Sequence, residues 1–139
     1  MSARTKARKR ALDALYAAEL TGRAAQVLLA ETLASVVDRQ NQEAIFDYAE
    51  ALVSGFEANR ASIDAQLVAL SDGWSLERMP AIDRNLLRLG AWEIMHNPDV
   101  PNEVAISEAV ALASEYSTDD SPKFINGVLA RLGKATQAL

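Results

Sequence analysis

Apolar residues recur at spacings of three and four almost from one end of this chain to the other, and only six glycines and four prolines interrupt them. A period near 3.6 stacks side chains on one face of a helix, whereas a half-buried strand needs strict alternation. The expected fold is therefore all-α. The chain has 139 residues, half of them apolar, enough for one sizeable core. No internal repeat or low-complexity linker divides it, and we expect a single domain over 1–139, a compact bundle of about six or seven helices.

The first helix is predicted over 3–20, with Leu12, Leu15, Tyr16 and Leu20 on one stripe and Gly22 as its C-terminal cap. The second covers 24–37. A third helical stretch, 41–70, presents Ile45, Ala49, Leu52, Val53 and Phe56, then Ile63, Leu67 and Leu70; one bent helix or two meeting near 55–60 both fit. After Pro80, a central helix carries Ile82, Leu86, Leu87, Leu89, Ala91 and Ile94 on a wide apolar face. NPDVP at 97–101 is a turn by composition. A sixth helix follows, and the last begins with Asp120 or Ser121 as N-cap and Pro122 at its first helical position. Gly127, inside that helix's apolar stripe, reads as a point of close helix approach.

Charge is unevenly placed. Five bases, Arg4, Lys6, Arg8, Lys9 and Arg10, fall within seven residues, while the net charge is -5. The 129 residues after Arg10 hold nine bases against nineteen acids, a formal −10. Bases in the first turns of a helix oppose its macrodipole at a few tenths of a kcal/mol each, so the placement costs stability unless a ligand uses it. A membrane-surface helix would need bulky apolar residues among the bases, and only Ala7 and Ala11 are there. Two readings remain: a solvated helix end, or a face for phosphates.

The absence of cysteine excludes disulfides, thiolate zinc sites and thiol nucleophiles, and suits a reducing cytosol. No apolar run reaches the ~20 residues that span a bilayer, and Asp13 and Glu19 spoil a signal-peptide core. The expected location is cytoplasmic. His96 has no second ligand for a metal, and Asp119 and Asp120 precede a helix, where acids complement the dipole. No glycine-rich phosphate loop or catalytic triad ordering is present. We therefore expect no enzyme, metal or cofactor. Tyr116 and Phe124 bracket the acidic turn with Lys123 beside them; they fit either a stacking platform for unpaired bases or the end of a helix and a core position.

Four segments, ARKRALDALYAAEL, DRNLLRLGAWEI, DVPNEVAISEAVALAS and DDSPKFINGVL, together resemble the NusB family of bacterial transcription antitermination factors. The resemblance implies two helical subdomains and a U-rich, single-stranded boxA-type RNA from ribosomal RNA operon leaders. It also implies a ribosomal small-subunit protein partner, NusE, with other Nus factors and RNA polymerase engaged indirectly, and self-association in some members. RNA contacts are implied for Arg4 and Arg8 most directly, with Lys6, Lys9 and Arg10 as neighbours, and for Tyr116, Lys123 and Phe124. Thr5 stands where some members carry a base. The basic helix and the aromatic turn would form one surface if the first and last helices pack side by side. Glu77 and Asp83, near the start of the central helix, are the candidates for the partner contact. The rival readings are a protein-interaction module and an RNA-binding domain associated with an RNA methyltransferase.

Overall fold

The computed structural model describes residues 2–38 and 40–137. Seven α-helices account for most of them, with no strand among the described residues: α1 (Ala3–Thr21), α2 (Ala25–Ser35), α3 (Glu43–Ala58), α4 (Arg60–Leu70), α5 (Ala81–His96), α6 (Asn102–Tyr116) and α7 (Ser121–Gln137). Short 3₁₀ turns cover Gln40–Gln42 and Leu76–Arg78.

Local chemistry explains the boundaries. Ser2 Oγ accepts the Thr5 N–H at 3.1 Å and starts α1, and Gly22, at φ 74°, ends it by donating its N–H to Ala18. The stretch 41–70 is two helices, parted at Asn59, whose side chain donates to the Gly55 carbonyl at 2.7 Å. Pro80 and Pro101 immediately precede α5 and α6, where a missing N–H leaves no helical bond unmade. Ser121 opens α7, with Pro122 second.

α1, α2 and α3 pack together, α4 to α7 form a second group, and α5 joins the two by also packing on α1 and α3. This is the two-subdomain arrangement. α5 buries Leu86, Leu87, Leu89, Gly90 and Ala91, nearly its full circumference, against both groups. Around it Phe56, Leu52, Val53, Ile63, Leu67 and Leu129 have no exposed surface; truncating one of the larger of these to alanine costs about 2–5 kcal/mol.

Three expectations need correction. Tyr16 and Leu20 are 37% and 70% exposed, outside the core that holds Leu12 and Leu15. Steps of four residues advance about 40° around a helix, so a stripe followed through Leu12, Tyr16 and Leu20 slides off the buried face. Gly127 is not a close approach: a Cβ there would meet only Arg131 Nη1, at 3.5 Å. The tight crossings are at Gly90, where a Cβ would lie 2.7 Å from Leu129 Cδ1, and at Gly55, 2.2 Å from Trp92 Nε1. Finally, α7 packs mainly on α6, α5 and α4, so it is not the flank of α1.

Candidate nucleic-acid interface

With residues spaced about 100° apart around the helix, Ala7, Arg8, Ala11, Leu12, Ala14 and Leu15 of α1 all face inward and are buried. The opposite ridge carries Lys6, Lys9, Arg10 and Asp13. Aromatic rings flank it on both sides. Arg10 lies 5.3 Å from the Phe46 ring centroid of α3, and Lys9 Nζ lies 4.6 Å from that of Tyr116 at the end of α6. At the tip of the helix, Arg4 is exposed and lies over Tyr48 of α3 at 4.5 Å. Such cation–π contacts are worth about 0.5–1 kcal/mol where solvent reaches them.

The bases differ in how free they are. Lys9 also meets Asp13, at 2.7 Å. Lys6 is exposed and forms no ion pair with the described residues. Arg8 departs from expectation altogether. Only 4% of it is exposed, and its guanidinium binds both Glu93 carboxylate oxygens, through Nε at 3.0 Å and Nη2 at 2.8 Å, and Glu108 through Nη1 at 2.9 Å. Burial disfavours its cation, but the bonds and charges of Glu93 and Glu108 outweigh that and hold its pKa above the ordinary value. Bound by two carboxylates and buried, Arg8 is not a free base on this surface, against the expectation that it faces a phosphate.

Around that pair the network is closed. The Tyr48 O–H donates to Glu93, Asn97 Nδ2 donates to the Tyr48 oxygen at 3.0 Å, and Thr5 Oγ1 donates to Glu108 at 2.6 Å. Burial, then the bond to Glu93, pushes the Tyr48 phenol up to about 12. No buried side-chain nitrogen or oxygen among the described residues lacks a partner.

The turn before α7 places its residues on separate faces. Lys123 is exposed and borders a shallow depression between α6 and α7 with Ile106, Val110 and Asn126. Phe124, half-buried, lines a different one with Trp74, Met79, Pro80 and Asp120. Tyr116 stands with Lys9 instead. Asp83 also departs from expectation. It is 3% exposed and accepts from Ser117 Oγ at 2.5 Å and Ser121 Oγ at 2.8 Å. It ties α5 to the α6–α7 turn and presents no free carboxylate to a partner. Glu77 is exposed.

Phe46, Tyr48, Glu93 and Glu108 were not singled out from the sequence. Glu93 left a signal: it falls four residues after Leu89 and seven after Leu86, an acid within a buried stripe, and a buried acid needs a cation.

Residues 5–134 match the model of the NusB family. The chain belongs to that family. A transcription antitermination protein NusB of Clavibacter michiganensis subsp. michiganensis is 50% identical over 138 residues, covering 99% of this chain and 100% of the relative. That of a Nocardioides species is 48% identical, over 95% of this chain and 94% of its own. Among solved structures, T. maritima NusB superposes with a TM-score of 0.84 at 31% identity, covering 98% of this chain and 97% of that one. A crystal structure of antitermination factors NusB and NusE in complex with dsRNA superposes at 0.83 with 27% identity, covering 97% and 98%. Within this NusB-family fold, the basic ridge of α1 lies between rings supplied by α3 and α6.

Proposed function

We propose that this chain is a transcription antitermination factor that binds boxA-type RNA of ribosomal RNA operon leaders together with a NusE-type ribosomal protein, as part of an antitermination complex on RNA polymerase. It acts in the cytoplasm as a non-enzymatic adaptor. The observation that carries the reading is the full-length kinship with NusB proteins, one of which is solved with NusE and RNA. The geometry supports a mechanism for it. Arg4 at the helix tip and Lys6, Lys9 and Arg10 along the α1 ridge neutralise phosphates, Tyr116 offers its ring beside Lys9, and Phe124 and Lys123 offer a ring and a charge from two separate depressions. The acidic surface, with Glu77 exposed beside α5, complements a basic ribosomal protein.

Fluorescence anisotropy of labelled U-rich boxA-type RNA tests this, with and without NusE, against scrambled and duplex RNA across a salt series. Preference for the intact sequence, tightened by NusE, is expected. Each neutralised phosphate on a single strand contributes about −0.7 to the log-affinity against log-salt slope, so Lys6→Ala should flatten the slope by about that amount. Equal binding to scrambled RNA with and without NusE would remove the reading.

A further inference from the structure

The start of α1 has little apolar grip. Among the described residues ahead of Leu12, only Ala7 and Ala11 are buried hydrophobic residues, and no acid stands in the first turn to complement the dipole. What holds these turns is polar and reaches three other helices: Arg8 to Glu93 of α5 and Glu108 of α6, Thr5 to Glu108, and Arg4 over Tyr48 of α3. Glu93 is 1% exposed and gathers both the Arg8 guanidinium and the Tyr48 hydroxyl. One buried carboxylate thus fixes the distance between α1 and the two helices that carry Phe46, Tyr48 and the framework of α5. The bonds are directional, unlike the packing of two alanines, and they set the rotation of α1 about its own axis as well as its position.

We infer that Glu93, Glu108 and Tyr48 are positioning residues for RNA binding: acting through Arg8, Thr5 and Arg4, they fix the first two turns of α1 so that Arg4, Lys6 and Lys9 stand in register with the strand. The inference rests on the RNA-binding reading above. None of the three acts on RNA itself. The two carboxylates repel phosphate, and the tyrosine hydroxyl is engaged on both sides, donating to Glu93 and accepting from Asn97. Their contribution is to remove the conformational freedom that a loosely held basic turn would lose on binding.

The test compares the full-length wild type with Glu108→Gln, Tyr48→Phe and Glu93→Gln in binding the same boxA-type RNA across salt, with amide hydrogen exchange of the free proteins. Lys6→Ala serves as the phosphate-contact control. We expect Glu108→Gln and Tyr48→Phe to bind about tenfold more weakly, with a salt slope equal to that of the wild type, because the number of neutralised phosphates is unchanged. Exchange should quicken at the amides of residues 6–10 and stay as it was in α4 to α7. Glu93→Gln exposes the competing account of Arg8. If Arg8 were a phosphate contact held back by its acids, releasing it would tighten binding and steepen the slope by about 0.7, which would overturn the inference. Should Glu93→Gln fail to fold, Glu108→Gln, which loosens Arg8 at a more accessible acid, answers the same question. Variants that loosen α1 by exchange yet bind as tightly as the wild type would remove the inference alone. Absence of binding by the wild type would remove the RNA reading together with it.

Discussion

Two glycines in neighbouring helices should respond to alanine with opposite signs. At Gly127 of α7, a new Cβ meets only Arg131 Nη1, at 3.5 Å, the end of an exposed side chain that can move aside. Replacing a helical glycine there gains about 0.5–1 kcal/mol from lost unfolded-state freedom and better propensity. Gly90 of α5 carries the same gain, but its Cβ would stand 2.7 Å from Leu129 Cδ1 and 3.3 Å from Cδ2. Leu129 has no exposed surface, so it can yield only by displacing buried neighbours. Overpacking of this kind costs about 1–3 kcal/mol, so Gly90→Ala should come out destabilised by about 1–2 kcal/mol and the two variants should differ by about 2 kcal/mol. Urea unfolding followed by circular dichroism measures it; with a slope of about 2 kcal/mol per molar, the two midpoints should lie about 1 M apart, with that of the wild type between them. A Gly90→Ala midpoint at or above that of Gly127→Ala, with unchanged slopes, would refute the claim that the α5–α7 crossing depends on the missing side chain.

Three further outcomes follow from the polar ties. The Glu19 carboxylate is held below its ordinary value: burial works against this, but bonds from Arg84 and Asn85 and the Arg84 and Arg88 charges overcome it. A depressed acid contributes stability that is present above its unfolded pKa and lost as pH falls through its folded one, so Glu19→Gln should narrow its stability deficit in urea titrations as pH drops below about 4.5. Tyr48, pushed up to about 12, keeps its proton where an unfolded phenol has lost it. Its contribution is complete below about pH 10 and disappears as pH rises toward 12, and ultraviolet titration should show a late phase that Tyr48→Phe abolishes. Ser121→Ala leaves the buried Asp83 carboxylate short of one donor at 2.8 Å and should cost about 1–3 kcal/mol in thermal or urea unfolding.

The helices are legible because each apolar face is local: Ile45, Leu52 and Phe56, or Ile125, Leu129 and Leu132, declare one side of a helix within about three turns. Ends were legible where a single residue dictates them, as Gly22 and Pro80 do. What escaped depends on chain segments far apart. Nothing near residue 8 says which base in the cluster turns inward, because its acids lie 85 and 100 positions away. Gly127 stands out by its place in a local apolar stripe, whereas Gly90 matters because of where another helix crosses it. Asp83 looked like a surface acid at a helix start, and only the arrival of Ser117 and Ser121 from another part of the chain encloses it. The basic cluster is legible as a helix opening; the rings beside it come from α3 and α6, and the sequence carries no local sign of that pairing.

Three of the cations along α1 rest on rings, Arg4 on Tyr48, Lys9 on Tyr116 and Arg10 on Phe46. A long basic side chain free in water surrenders up to about 1.5–2 kcal/mol of rotamer entropy when it is pinned; here much of that ordering takes place as the protein folds. Complex formation is then left with the entropy gained by releasing counterions, and little side-chain ordering to set against it. Calorimetry on the ridge should therefore find association driven by entropy, and replacing Tyr48 or Phe46 by leucine should turn part of that gain into loss while every positive charge stays in place.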